Sequence, residues 1–156
     1  MKFIQLVLAV SISHFAFNQD SNTHTKDKSE VEQVIVSLFQ GMQESDSTKV
    51  HACFFESSSM KTTFNNSKTN SPGIHTGNLN EFLVAVGTPK EQLWDERISE
   101  LEIRIDDNLA TAWMNYSFYI DDTFSHCGVN AIQFFKSSDG WKITDITDSR
   151  RKEKCN

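Results

Sequence analysis

The sequence has little that would specify a metal-binding or nucleic-acid-binding protein. Its three cysteines (Cys53, Cys127 and Cys155) form no Cys-x-x-Cys pair, and its five histidines show no metal-ligand spacing, so we expect no metal site. A formal net charge of −6 over 156 residues leaves no basic footprint, so we expect no nucleic-acid partner. Internal repeats and low-complexity arrays are absent too. These absences favour one acidic domain with a single core.

No apolar run in the sequence is long enough to span a bilayer. The longest follows Met1-Lys2 and covers Phe3–Phe17, whereas a transmembrane helix needs about 20 apolar residues. A charged start before a short apolar run is typical of a secretory signal peptide. We therefore predict a signal peptide over residues 1–18 and a secreted or periplasmic protein, with no membrane association after cleavage. An uncleaved anchor is the alternative.

The cysteine count limits the disulfides of such an exported chain. Three cysteines permit one disulfide and leave one thiol over. The sequence leaves the pairing open. Nothing in it indicates a cofactor.

Residues 19–28 are polar and rich in disorder-favouring types, which predicts a tether before the domain at residues 29–151. The domain begins with an apolar stripe at helical spacing, formed by Val31, Val34, Ile35, Leu38, Phe39 and Met42. A capping cluster, Ser45-Asp46-Ser47, predicts a second helix over Thr48–Phe55. A weak strand at Met60–Phe64, a long polar loop at Asn65–Gly77 and a short helix at Asn80–Val86 follow.

The rest of the domain alternates between apolar and polar residues, as β-strands do. We predict strands at Ile98–Ile105, Leu109–Ile120, Phe124–Phe135 and Trp141–Thr147, followed by a tail over residues 152–156. The Asp139-Gly140 pair suits the positive φ of a hairpin bend. The fold class is therefore α+β, with helices covering one face of a curved antiparallel sheet.

This order of elements, together with several C-terminal segments, resembles the nuclear-transport-factor-2-like (NTF2-like, cystatin-like cone) superfamily. Within it, the likeness is greatest to the lumazine-binding and SnoaL-like group. The matching segments are Trp113 with Tyr116-Ser117-Phe118-Tyr119, Phe124 to Asn130, Trp141-Lys142-Ile143, and Ile146 to Arg151. The resemblance implies a cone-shaped sheet with a pocket under the helices. It does not imply one function, because the superfamily includes isomerases, dehydratases, cyclases, binding proteins and transport adaptors.

Counting residue pairs across the predicted hairpins assigns the two faces of the sheet. A two-residue loop at Asp122-Thr123 places Tyr116 opposite Val129, and a turn at Asp107-Asn108 places Ile103 opposite Ala112. The helix-covered face then holds Leu101, Ile103, Ile105, Ala112, Met114, Phe118, Val129, Ala131, Phe135 and Ile146. The opposite face holds Glu100, Glu102, Arg104, Trp113, Asn115, Tyr119, His126, Asn130, Ile132, Phe134, Trp141 and Ile143. A single bulge would exchange these roles beyond it.

Polar groups on the helix-covered face mark the candidate pocket. They are Tyr116, Cys127, Gln133, Thr144, Asp148 and Arg150. Asp148 and Arg150, two residues apart on one strand, could form an ion pair that leaves guanidinium donors for a ligand, or a purely structural pair. The predicted lining is Leu38, Phe39, Met42, Met114, Tyr116 and Phe118. His126 is a further ligand-binding candidate because histidine titrates near neutral pH, although a structural role is the alternative.

Three functions remain open at this point. The first is a pocket protein that binds a small, flat, partly apolar molecule without catalysis, and we identify no catalytic residue with it. The second, implied by the resemblance, is an isomerase, dehydratase or cyclase that uses Asp148 and Tyr116. The third is a structural or partner-binding module that presents the Trp113 face to another chain. We also expect a homodimer, because the aromatic face around Trp113, Tyr119, Phe134, Trp141 and Ile143 is poorly suited to water.

Overall fold

The computed structural model describes residues 18–155 of the chain. Its elements are α1 (Asn18–Glu44), α2 (Ser47–Ala52), β1 (Phe54–Asn65), β2 (Pro72–Gly77), α3 (Leu79–Gly87), β3 (Trp94–Asp106), β4 (Leu109–Ile120), β5 (Thr123–Ser137) and β6 (Gly140–Arg151). The apolar run of the predicted signal peptide lies outside the described residues. Among those described, no helix has both the length and the apolar character needed to cross a membrane.

The six strands form one sheet in the order β2-β1-β6-β5-β4-β3, with the helices packed on it. The predicted α+β class is confirmed. The sheet is mixed rather than wholly antiparallel, because β1 runs parallel to β6. Four consecutive strands and α3 separate β1 from β6 in the chain, so this pair is not constrained by a hairpin, and a parallel pairing has the long connection it requires.

Helix α1 begins before the predicted domain start. The segment predicted as a tether, residues 19–28, is helical, so that prediction is wrong within the described residues. Asp27 is buried there, and it accepts hydrogen bonds from Lys136 Nζ and, at 3.4 Å, from Trp141 Nε1. Composition alone indicated disorder because it contains no information on these partners in β5 and β6. The apolar stripe further along α1 packs into the core as predicted, with Val31 and Ile35 fully buried.

The two short helices begin at side-chain caps. Asp46 Oδ1 accepts a 2.9 Å hydrogen bond from Lys49 N at the start of α2, and Asn78 Oδ1 accepts one of 2.9 Å from Glu81 N at the start of α3. The loop predicted at Asn65–Gly77 contains β2, which forms a hairpin with β1. The sequence prediction missed β2 because this edge strand has no apolar alternation.

The β4–β5 hairpin corrects the predicted faces. Its two-residue turn is Asp121-Asp122, both at positive φ, so Ile120 pairs with Thr123, and a bulge follows between Phe118 and Tyr119. Tyr116 therefore pairs with Gly128 rather than Val129. A shift of one residue exchanges the two faces of a strand.

Several predicted positions change face as a result. Ile132, Phe134, Trp141 and Ile143, predicted to lie on the outer face, are buried in the core, and His126 and Asn130 also lie inside. Val129, Ala131, Gln133 and Phe135 lie on the outer face instead. On β6 a second bulge, at Thr144, shifts the pairing by one residue and so changes which side chains face inward. Both Ile143 and Ile146 therefore point inward. The predicted pairing of Ile103 with Ala112 is confirmed.

The C-terminal tail is fixed covalently to β5. Cys127 and Cys155 form a disulfide, with their Cα atoms 5.8 Å apart. Cys53, at the end of α2, is buried and free, and burial raises the pKa of its thiol to about 11. The structure thus decides the pairing that the sequence left open.

Candidate functional site

A cavity of about 520 Å³ lies between the helices and the inner face of the sheet. Its volume is within the range of about 300–1,000 Å³ that is typical of small-molecule sites. Helix α1, helix α3, the β1–β2 hairpin and strands β3 to β6 all contribute to its wall. The apolar part of the wall consists of Leu38, Phe39, Met42, Met60, Phe82, Ala85, Trp94, Phe118, Ile132 and Ile146.

The cavity brings together five of the six predicted ligand-binding residues. Phe39, Tyr116, His126, Asp148 and Arg150 all line it. Met114 does not, because its side chain is fully buried in the core. The predicted location, between the first helix and the sheet with Asp148 and Arg150 at the polar end, agrees with this geometry.

The position of Tyr116 depends on a glycine in the neighbouring strand. Gly128 pairs with Tyr116, and a Cβ atom at Gly128 would lie 2.7 Å from Tyr116 Cε1 and 1.6 Å from Ser149 O. Only glycine therefore lets the tyrosine ring lie across β5 and reach β6. There the Tyr116 hydroxyl lies 3.0 Å from both Asp148 Oδ2 and Ser149 O, so its one proton is shared between two acceptors.

Asp148 accepts hydrogen bonds at both carboxylate oxygens. Thr62 Oγ1 donates to Oδ1 at 2.5 Å, and Tyr116 donates to Oδ2. The side chain is 13 % exposed. Burial, followed by the neighbouring Asp148 carboxylate, raises the pKa of the Tyr116 hydroxyl, so this phenol remains a donor at neutral pH.

Arg150 forms only a loose ion pair with Asp148. Its Nε lies 3.8 Å from Asp148 Oδ2, and its side chain is 52 % exposed. Exposed pairs of this kind contribute about 0–1 kcal/mol to stability. Because β6 holds the guanidinium group at the cavity wall and no described residue is a close partner, most of its donors are available to a ligand.

Glu96 is a second carboxyl group at the polar end of the cavity. It lies on β3, partly buried, and its Oε1 accepts a 2.7 Å hydrogen bond from Asn130 Nδ2. Burial raises the pKa of Glu96 to about 7, and the Asp148 carboxylate adds to this, while the Asn130 hydrogen bond and Arg150 act in the opposite direction. The group is therefore partly protonated at neutral pH.

His126 is a neutral aromatic side chain in this cavity. Its ring stacks on Phe118, with centroids 5.0 Å apart, and Nδ1 lies 3.0 Å from Ser125 Oγ. Burial, with Arg150 as the second cause, lowers the pKa of His126 to about 4. The imidazole is thus uncharged at neutral pH.

Among residues 18–155 there is no group of three or more His, Cys, Asp or Glu side chains able to hold a metal ion.

Sequence reasoning missed Glu96 and Trp94 and placed Asn130 on the wrong face. The strand predicted at Ile98–Ile105 corresponds to β3 but began four residues too late. Trp94, Glu96 and Ile98 alternate inward, but a bulge at Glu100, which has a φ of 53°, breaks the phase before Leu101. The alternation of Trp94, Glu96 and Ile98 was a signal in the sequence that could have extended the strand and revealed Glu96.

No family model and no curated protein matches the sequence. A Mycobacterium tuberculosis protein of unknown function superposes with a TM-score of 0.70 at 9 % identity, over 87 % of this chain and 78 % of the other. An NTF2-like protein with a cystatin-like fold from Novosphingobium aromaticivorans has a TM-score of 0.66 at 11 % identity, covering 88 % and 91 % of the two chains. An NTF2-like protein of unknown function from Shewanella baltica has a TM-score of 0.61 at 12 % identity, covering 82 % of this chain and 96 % of the other. The chain therefore has the NTF2-like, cystatin-like fold, as its sequence predicted.

Proposed function

We propose that this protein binds a small, flat, partly apolar molecule in the cavity under its helices. The observation that carries the proposal is that one part of the cavity wall is aromatic and apolar, whereas another part is charged. Aromatic side chains from three elements, Phe39, Phe82 and Trp94, supply flat apolar contact surface. Glu96, Asp148 and Arg150 lie together at the other end, where they would fix the orientation of a ligand through a few polar contacts.

A fluorescent dye with the same properties tests this proposal. We would titrate the chain with 1-aminoanthracene, which is flat and mostly apolar, and expect saturable fluorescence enhancement. Ala85→Trp places a large ring at the cavity wall and should weaken dye binding about tenfold or more, which corresponds to about 1.4 kcal/mol. The matched control is Val84→Trp. Val84 immediately precedes Ala85 in α3, its side chain is 68 % exposed, and it does not line the cavity.

Equal dye affinity in both tryptophan variants would contradict binding in this cavity. The same titration with Arg150→Ala separates the two roles considered for that residue. If Arg150 contacts the polar group of a ligand, this variant should bind an anionic analogue of the dye more weakly while its melting temperature stays near that of the unsubstituted chain. Native mass spectrometry of the protein from its own host would identify a retained ligand.

Export from the cytoplasm is part of the proposal. The Cys127–Cys155 disulfide supports it, because disulfides persist in oxidising compartments. N-terminal sequencing of the natural protein should give a first residue near Gln19. Recovery of a soluble cytosolic chain that retains Met1 would contradict export.

A further inference from the structure

We propose that Glu96 is the proton acceptor of a reaction in this cavity, whose substrate is a flat, partly apolar molecule with an acidified C–H bond. The proposal rests on the proposed function, because the substrate must first bind in the cavity. It replaces Asp148, the carboxylate that the sequence offered for catalysis, with a residue of β3.

The three carboxyl groups on the cavity wall differ in what they can do. Asp148 accepts a hydrogen bond at each oxygen, from Thr62 and from Tyr116, so a substrate proton would compete with a donor already in place at either oxygen. Glu81 lies on the exposed side of α3 and remains in contact with water. Glu96 accepts one hydrogen bond, at Oε1, and its Oε2 has no partner among the described residues. Its free oxygen is therefore available to a bound molecule.

The surroundings of Glu96 suit a base that works near neutral pH. Trp94 lies on the same face of β3, and Phe118 and Ile132 line the same cavity, so water around the carboxylate is restricted. Burial raises the pKa of Glu96 to about 7, which makes the carboxylate a stronger base than one in water while it stays half ionised at that pH. Glu96 and Asp148 have different surroundings, and two such carboxyl groups take different roles. Glu96 would exchange the proton, and Asp148 would remain a fixed charge.

Other charged and titratable groups face the same cavity and can influence the titration. They are Asp148 and Arg150 from β6, Tyr116 from β4, His126 from β5, Lys61 from β1, His75 from β2 and Glu81 from α3. Helix α1 contributes only apolar side chains to the wall. Among these groups, the imidazoles of His75 and His126 are the other candidate bases. The pKa of His126 is lowered to about 4, so its proton uptake lies in a separate pH range, and a His75→Gln variant, which should keep the full rate, separates His75 from Glu96.

A nitrobenzisoxazole is a suitable probe for a carboxylate base in an apolar cavity. In its ring opening, Glu96 would take the proton of the ring C–H bond, and the electron pair of that bond would form the nitrile. The N–O bond breaks, and its electrons stay on oxygen as a coloured phenolate. Glu96 then releases the proton to water. The step is balanced without a co-reactant.

We expect saturable turnover of the probe by the intact chain, with a rate that rises with pH and has a midpoint near pH 7, because only the ionised carboxyl accepts a proton. Glu96→Gln should lower kcat/KM about 100-fold, the usual contribution of a general base. This substitution keeps an acceptor for Asn130 Nδ2, so the fold should persist. Glu56→Gln, the same change at an exposed residue of β1 that does not line the cavity, should leave the rate unchanged.

Binding of the probe is measured separately, as the quenching of tryptophan fluorescence. The quenching that remains in a Trp94→Phe variant comes from the other tryptophans and is subtracted. Saturable quenching without turnover above that of free carboxylate in buffer would overturn the role of Glu96 and leave ligand binding standing. Absence of saturable quenching would overturn both. A folded Glu96→Gln variant with the full rate, or a midpoint near pH 4, would also overturn the role of Glu96. If Glu96→Gln does not fold, the pH profile is compared between the unsubstituted chain and His75→Gln, and a midpoint that disappears in His75→Gln would overturn the role of Glu96.

Discussion

Asn130 donates a 2.7 Å hydrogen bond from Nδ2 to Glu96 Oε1, and this bond joins β5 to β3 across the inner face of β4. Strands two apart in a sheet are separated by about 9.6 Å, so only two long side chains on the same face can make such a contact. Asn130 is buried, and its amide would lack an acceptor without Glu96. The bond fixes one carboxyl oxygen and leaves the other for the cavity.

The raised pKa of Glu96 should be measurable as a pH dependence of stability. Between pH 4.5 and 7 the folded chain binds a proton at Glu96 that the unfolded chain has released, so the free energy of unfolding falls as pH rises. Relative to Glu96→Gln, the unsubstituted chain should lose about 3 kcal/mol at most over this range and nothing above it. Urea unfolding of both proteins at each pH gives the difference. Parallel pH profiles would contradict the raised pKa.

His126 should show the opposite dependence. Its folded pKa is lowered from 6.5 to about 4, chiefly by burial, so the folded chain resists protonation that the unfolded chain accepts. The lowered pKa of His126 therefore adds to the free energy of unfolding in full above pH 6.5, and this contribution is lost as pH falls towards 4. Compared with His126→Gln, the unsubstituted chain should lose about 3 kcal/mol at most on acidification. A His126 ring that titrates near 6.5 in an NMR experiment would refute the prediction.

Tyr116→Phe should test the hydrogen bonds that hold Asp148. The variant keeps the ring over Gly128 but removes the hydroxyl that donates to Asp148 Oδ2 and Ser149 O. Leaving these acceptors without that donor should cost about 1–3 kcal/mol of stability, measured by urea unfolding. Tyr119→Phe is the matched control and should change stability by less than about 0.5 kcal/mol, because the Tyr119 hydroxyl has no hydrogen-bond partner among the described residues. Equal effects of the two variants would show that the Tyr116 hydroxyl is not stabilising.

Local pattern was enough to predict most of the fold. Alternation and turn residues located β4, β5 and β6, and the φ of 99° at Gly140 is the positive value that the Asp139-Gly140 pair predicted. The stripe of α1 and the caps of α2 and α3 are also local features. What failed was phase: the bulge between Phe118 and Tyr119 shifts the pairing by one residue and exchanges the faces of β5 from His126 onward.

The site was predictable where the phase was right: Tyr116 lies before the bulge of the β4–β5 hairpin, and the second bulge, at Thr144, restores the predicted phase before Asp148 and Arg150. Tyr116, Asp148 and Arg150 were placed on the correct face, and Phe39 follows from the stripe of α1. Glu96 was missed because the bulge at Glu100 puts Ile98 and Leu101 out of phase, and only the alternation of Trp94, Glu96 and Ile98 before the bulge indicated it. Bulges depend on contacts between strands, which a single sequence does not display.

The disulfide should contribute substantially to stability because it closes a segment of 28 residues. The chain-entropy relation gives about 3 to 4 kcal/mol for a loop of this length. Cys155→Ser should therefore lower the free energy of unfolding by a similar amount. Cys53→Ala is the control that retains the disulfide. Thiol titration should find one reactive thiol per chain, and only after unfolding, because Cys53 is buried; two reactive thiols in the native chain would contradict the bond.

The outer face of the sheet has several exposed apolar side chains. Trp113 is 56 % exposed and Leu109 53 %, while Phe55 and Phe135 lie edge to face with ring centroids 5.7 Å apart. A groove of about 450 Å³ passes beside Trp113, with Glu102 and Arg104 at its edge. Exposed apolar side chains on one face are a reason to test that face for association.

We expect two copies of the chain to pair through this outer face, and Trp113→Glu should then shift a dimer to monomer. The substitution places a charge at the centre of a symmetric contact, where each copy would meet the other's charge. Ile143, predicted from sequence to lie in this interface, is fully buried in the core, so a change there would unfold the chain instead. Light scattering with size-exclusion chromatography measures the mass of each variant. Val84→Glu, an equally exposed apolar position on α3, is the control and should leave the mass unchanged. A monomeric unsubstituted chain, or a dimer that persists in Trp113→Glu, would refute this interface.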